Sequence, residues 1–322
     1  MSMPSTRTGR GLIVAAASLL CALSAQAQEF PVKPIRIIVG NSPGTSQDLM
    51  ARAMGAEMTK TLGQPIVVET KLGAQQTIAY EYVAKQVPND GYTIVILAPA
   101  ILATAPLMFK ELRFDPLKDL PILIELGVIR LFLISPSAAP WKDFNEFAAY
   151  TKANPGKVNY GASTPPPRLN MEMVLRAKGL AGTFIPYKTT GQMIQALLAN
   201  ELQATVTSIS DVLPHGDKLR VLAATGDAPF PALPNAPLFK SFGLTVRGAS
   251  YALSAPAGVP QPVVDKLYTH AARALQTQPV QTLLANLKIE PTGVGPDVAT
   301  RALADEAKAY AEVARQIGFK PE

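Results

Sequence analysis

The chain has 322 residues, enough for two domains of ordinary size and too many for one simple core. Apolar residues make up 48% and charged residues 17%, which excludes a disordered chain. The formal charge of +6 comes without a Lys/Arg run or interleaved aromatics, so no nucleic-acid partner is expected.

Residues 1–27 have the pattern of a cleaved export signal. Arg7 and Arg10 supply a positive start, residues 11–23 an apolar run, and Ala25-Gln26-Ala27 the small residues before cleavage. The run is too short to span a membrane, and no later stretch reaches about 18 uninterrupted apolar residues. Leu20, not a small residue, precedes Cys21, which argues against a lipid anchor. A periplasmic protein beginning near Gln28 is expected. Its charge falls to +4 and it contains no cysteine, which excludes disulfides, thiolate nucleophiles and Cys-based zinc sites.

Strand and helix patterns then alternate. A β-branched run at 35–40 leads through the loop 41–48 to a helical pattern at 49–62. Strands follow at 66–69 and 92–97, with a helix at 77–86 between them. This spacing predicts βαβ units and a largely parallel sheet. A second series opens with a strand at 130–134 and a helix at 141–153 that stops at Asn154-Pro155-Gly156. Strands at 158–160, 183–186, 203–207 and 219–224 follow, with helices at 169–178 and 192–200. After the Pro-rich stretch 229–237 come a strand at 251–255 and helices at 261–276, 280–285 and 298–317. Two α/β units, the second inserted in the first, would leave a cleft between them.

Catalysis finds no support in this chain. It has two histidines, His215 in a turn and His270 on a helix face, both read as ordinary surface residues. It has no G-x-S-x-G elbow and no H-E-x-x-H metal motif. No catalytic residue, metal ligand or cofactor is therefore assigned.

Three loops that enter helices carry the binding signal. Asn41-Ser42-Pro43-Gly44-Thr45-Ser46-Gln47-Asp48 follows a strand, and its backbone amides at a helix start suit an anion. An ordinary N-cap explains the same residues equally well. Gly161-Ala162-Ser163-Thr164-Pro165-Pro166-Pro167-Arg168 has the same placement, and Arg168 can fork onto a carboxylate or stand solvated. Tyr187-Lys188-Thr189-Thr190-Gly191 is a cap with a nearby cation. Three such loops favour a shared cleft over three unrelated caps.

Further fragments carry a family resemblance: Pro34-Ile35-Arg36, Asp48-Leu49-Met50-Ala51-Arg52, Leu62-Gly63-Gln64-Pro65, Asp90-Gly91-Tyr92-Thr93 and Pro155-Gly156-Lys157. Pro186-Tyr187-Lys188 and Ala255-Pro256-Ala257-Gly258-Val259-Pro260 follow in the same order. From about Pro31 onward the chain resembles the Bug (Bordetella uptake gene) family, the substrate-binding proteins of tripartite tricarboxylate transporters. The resemblance implies a type II-like, hinge-closing periplasmic binding protein of two lobes, each a mostly parallel sheet flanked by helices. Lobe 1 is expected at 28–130 and 252–322, and lobe 2 at 131–251. It also implies a monomer that closes on a small organic acid and meets a membrane permease or a sensor. The ligand contacts it implies are Ser42, Gly44, Thr45, Ser46, Gln47 and Asp48, with Ala98 and Ala100, in lobe 1. In lobe 2 they are Ser163, Thr164, Arg168, Lys188, Thr189, Thr190, Gly191 and Thr207.

The chain also departs from that family pattern. Gln75-Gln76 replaces a usual glycine pair, Thr207 a frequent aspartate, and Ser250 a common tryptophan. Arg168 stands where a histidine is common, and Pro165-Pro166-Pro167 removes three N–H donors. That loop favours the alternative of an interaction or sensory protein that no longer takes a free metabolite.

Overall fold

The computed structural model describes residues 30–320; the export segment expected at 1–27 lies outside the described residues. Eleven strands and nine α-helices are distributed between two lobes among the described residues.

The first lobe opens with β1 (Ile35–Val39), α1 (Ser46–Leu62), β2 (Ile66–Thr70), α2 (Thr77–Lys85) and β3 (Thr93–Leu97). Helix α3 (Pro99–Met108) and strand β4 (Ile122–Ile129) complete its N-terminal part. The chain returns to this lobe as β10 (Ala249–Ser254), α7 (Gln261–Leu275), α8 (Gln278–Asn286), β11 (Ile289–Val294) and α9 (Pro296–Gln316). Its six-stranded sheet runs β11-β4-β10-β3-β1-β2, with β1 parallel to both β2 and β3 and the other pairs antiparallel.

Both faces of that sheet are covered, which explains the unbroken apolar strands. Ile37, Val39, Ile94 and Ile96 point into a core with α1, α7 and α8. Ile38, Val95 and Leu97 point the other way, into a core with α2, α3 and α9. Period-2 alternation thus divides one apolar run between two cores.

The second lobe contains β5 (Leu131–Pro136), α4 (Phe144–Ala153), β6 (Asn159–Ala162), α5 (Pro165–Ala177) and β7 (Thr183–Pro186). It continues through α6 (Thr190–Leu198), β8 (Thr205–Ser208) and β9 (Leu219–Ala224). β6 is parallel to β7 and bridges in parallel to Ala204 beside β8, while β5 is antiparallel to β8 and β9. Trp141, Phe144 and Phe147 pack edge-on or tilted in its larger core. Asp143 fixes the entry to α4: its Oδ1 accepts the Glu146 amide at 2.8 Å, and Glu146 Oε2 accepts the Lys142 amide at 2.7 Å. Asp143→Ala is expected to cost about 1 kcal/mol, read as a lower urea midpoint at unchanged slope.

Several expected boundaries move. Helix α1 begins at Ser46, not at 49, so Ser46, Gln47 and Asp48 belong to its first turn. Helix α5 begins at Pro165, not at 169, with the three prolines in its first three positions. There the missing N–H groups lose nothing, because no carbonyl in the helix would have accepted them. Three elements have no counterpart in the sequence reading. Helix α3 starts at Pro99 and contains Pro106, so its prolines made it look like turn. β11 contains Pro291 and escapes as a strand because it lies at the sheet edge, where a missing donor is tolerated. β4 is simply buried, and its antiparallel neighbours β10 and β11 come from 120 or more residues later.

The lobes are joined where β4 becomes β5 through Arg130 alone, and again through residues 225–248 between β9 and β10. Arg130 is buried and ties the two connections together. Its Nε lies 2.9 and 3.0 Å from the two carboxylate oxygens of Glu290 on β11, and its Nη1 donates to the carbonyls of Thr225 and Ala228.

Candidate functional site

In the first lobe the chain leaves β1 toward β2 and comes back on the other side as β3. Strand order therefore reverses at the C-terminal ends of β1 and β3, the place where open α/β sheets form a crevice. The loop 41–48 and Ala98 emerge there. The second lobe repeats the pattern: β6 lies between β7 and β8, and the loop 163–168 and the turn after β8 emerge at its reversal.

The first-lobe loop is internally tied. The Gly44 amide donates to Asp48 Oδ2 at 2.9 Å, and the Thr45 hydroxyl and amide both donate to the Ser42 carbonyl, at 2.8 and 3.3 Å. Arg52 Nε donates to the same Asp48 Oδ2 at 3.0 Å. Asp48 Oδ1 lies 2.9 Å from Arg52 Nη2, close as an ion pair but without hydrogen-bond alignment. Arg52 holds the Asp48 carboxyl below the usual carboxylate range against the opposing effect of burial, helped by the Gly44 amide. Two of the expected donors, the Gly44 and Thr45 amides, therefore serve the loop itself. The amides of Ser46, Gln47 and Asp48, in the first turn of α1, have no helical acceptor.

Gln47 faces inward. It is fully buried, its Nε2 donates to the Ile96 carbonyl at 2.9 Å, and its Oε1 is buried without a partner. The Ala98 amide is also occupied, donating to the Tyr80 hydroxyl at 3.1 Å, while Tyr80 donates to Gln76 Oε1 at 2.8 Å. Burial raises the Tyr80 phenol well above its ordinary value, so it stays a neutral donor. Ala100 is buried in the first turn of α3.

Sequence reasoning did not find Tyr80, nor the turn beside it. Ala74, Gln75 and Gln76 have φ of 43°, 49° and 75°, three consecutive left-handed residues without a glycine among them. Such a run costs on the order of 1 kcal/mol or more per residue and persists only where its surroundings hold it. Gly40 helps: a Cβ there would lie 2.7 Å from Gln76 Cβ. The Gln75-Gln76 substitution was the visible signal.

In the second lobe Ser163 Oγ meets Thr190 Oγ1 at 3.1 Å, joining two of the expected loops. Thr189 caps α6, its hydroxyl accepting the Gln192 amide at 3.2 Å, so it serves the helix. Lys188 and Gly191 are exposed. Thr207 is buried and its hydroxyl donates to the carboxylate of Asp211, which also accepts from Ser208 Oγ at 2.9 Å. Asp211 is a further polar group of this turn that sequence reasoning missed.

A cavity of about 380 Å³ takes its walls from both lobes. The second lobe contributes Ser163, Thr164 and Arg168; Gln75 and Phe319 come from the first. Residues 42–48 do not line it, so the structure does not bring that loop and Arg168 onto one cavity. Among the described residues no three His, Cys, Asp or Glu side chains are grouped to hold a metal ion.

Comparison with known proteins agrees with this geometry. The model of the tripartite tricarboxylate transporter family receptor matches residues 50–319. The chain belongs to that receptor family. A UPF0065 protein of Cupriavidus necator is 32% identical over 320 residues, covering 96% of each chain. BugT of Bordetella pertussis is 29% identical over 317 residues, again covering 96% of each. Among solved structures, MatC of Rhodopseudomonas palustris with bound malate is 28% identical, with a TM-score of 0.68 over 88% of this chain and 99% of that one. A second R. palustris protein, with adipate, is 26% identical with a TM-score of 0.72, over 91% of this chain and 100% of that one. The receptor fold thus accounts for both strand-order reversals.

Proposed function

We propose that this receptor captures a small carboxylated organic molecule between its lobes in the periplasm and delivers it to a membrane permease. The two lobes divide at 130/131 and at about 248/249, where the chain passes between the sheets. One observation carries the proposal: two matching strand-order reversals, with a cavity near them lined from both lobes and an arginine in its wall. The relatives with malate and adipate support an acid as ligand. In this reading the Arg168 guanidinium holds the anion in that cavity, and contacts from both lobes favour the closed state. Among the described residues no helix is long and apolar enough to cross a membrane.

Titration calorimetry against mono- and dicarboxylates and their neutral amides tests this. Acids are expected to bind and the amides are not; the reverse order sinks the proposal. A second reading, an interaction protein without a free ligand, is favoured by the proline-headed α5, whose first turn offers no amide to an anion. A thermal shift with any acid of the panel counts against it.

A further inference from the structure

A second cavity, of about 330 Å³, lies beside the junction of the lobes and shares no wall residue with the cavity that holds Arg168. β4, β10 and α9 of the first lobe form one side of it, and residues of the 225–248 connection form the other. Two carboxylates face it. Glu306 on α9 is 8% exposed, and its Oε1 lies 3.0 Å from the Tyr310 hydroxyl. Glu125 on β4 has its Oε1 3.1 Å from the Thr292 hydroxyl. In both, Oε2 has no partner among the described residues. Ser250 lines the cavity beside Ala252, on the face of β10 that turns toward α9. It too is 8% exposed, and its hydroxyl has no hydrogen-bond partner among the described residues.

The basic groups in the cavity wall are engaged elsewhere. Lys240 Nζ donates to the carbonyl and the carboxylate of Asp227, at 2.6 and 3.2 Å, and Arg247 Nη1 donates to the Ala302 carbonyl at 3.0 Å. Neither forms an ion pair with Glu125 or Glu306. Burial raises the Glu306 carboxyl above its ordinary value; the Arg247 charge and the Tyr310 hydroxyl oppose this, and Glu125 adds to it. The cavity therefore presents three acceptors and lacks a cation to meet them. Ile122, Val128, Phe239 and Leu303 line the rest of it and suit a short carbon body. We infer that this cavity is a second binding site, for a small primary ammonium with an apolar body. Its three N–H donors match Glu125, Glu306 and the Ser250 hydroxyl. Phe239, Leu244 and Val246 belong to the core of the second lobe, so an occupant touches both lobes and favours the arrangement that brings them together. The inference is independent of the carboxylate reading, whose ligand meets other residues.

Calorimetry on the full mature chain with n-butylammonium, ammonium and n-butanol provides the test. n-Butylammonium is expected to bind about tenfold or more tighter than ammonium, which lacks the body, and than n-butanol, which lacks the charge. Glu306→Gln keeps an acceptor for Tyr310 and removes the charge, and is expected to weaken n-butylammonium binding about tenfold or more. Ser250→Leu fills the cavity without altering a charge and is expected to abolish binding. No binding of n-butylammonium, or n-butanol binding as tightly, overturns the inference. So does binding that survives Glu306→Gln unchanged, whatever Ser250→Leu does. None of these outcomes bears on the carboxylate reading, which stands or falls with the acids.

Discussion

Arg130→Ala is expected to lower the free energy of unfolding by about 2–4 kcal/mol, more than any other single change at the junction of the lobes. The side chain is only 7% exposed, yet its donors are spread over three acceptors, two on the 225–248 connection and one, Glu290, on β11. Removing it leaves the carbonyls of Thr225 and Ala228 without their donor and opens a void beside Phe230. The fold has been shaped around this group: Gly226 has φ of +100°, and a Cβ there would lie 2.7 Å from the guanidinium. Glu290 contributes less, because at 39% exposure its carboxylate stays hydrated when the pair is broken. Glu290→Gln is therefore expected to cost roughly 1 kcal/mol or less. Urea unfolding of the two variants checks the order. Equal losses would mean that the ion pair, not the carbonyl contacts, holds the junction. Arg130→Lys is expected to resemble the alanine variant, since one ammonium cannot reach Glu290 and the carbonyls of Thr225 and Ala228 together.

Arg130 also shows how far local pattern reaches. The strand beginning near it is visible in the run of apolar residues, but its role is not, because Glu290 is 160 residues away. The same limit hides β4, whose partners in the sheet come from the C-terminal part of the chain. Proline misleads in a different way. At Pro99 and at Pro165-Pro166-Pro167 it looks like interruption, although the first turn of a helix is where it costs least. The loops at the switch points were legible, because strand–loop–helix order is written locally. Which of their donors are free was not, since Gly44, Ala98 and Thr207 are occupied by Asp48, Tyr80 and Asp211. Only the last of these pairs is explained by nearness alone: Tyr80 is 18 residues from Ala98, and the Gly44–Asp48 bond requires the helix to start at Ser46.

Asp48→Ala is expected to cost about 1–3 kcal/mol at neutral pH, because one carboxylate shapes the whole loop 42–48. It is 2% exposed and accepts from both Gly44 and Arg52, so its loss leaves two donors unmet. Arg52 is 52% exposed and can turn to water, so most of the cost falls on the Gly44 amide and on the helix start. The pH dependence follows from the lowered carboxyl. A group whose folded pKa lies below its unfolded value, near 3.9 for aspartate, adds stability above that value. The contribution is lost as pH falls through the folded pKa. Wild type and Asp48→Ala are accordingly expected to differ at pH 7 and to converge as the solution is acidified below about pH 4. Arg52→Ala isolates the cause. It leaves the carboxylate buried with the Gly44 amide, removes the main source of its lowered pKa, and should move the acid limb of the stability curve upward in pH. Urea midpoints measured across pH for the three proteins decide it. An acid limb unmoved by Arg52→Ala would show that burial and the Gly44 amide, not the arginine, set the charge on Asp48.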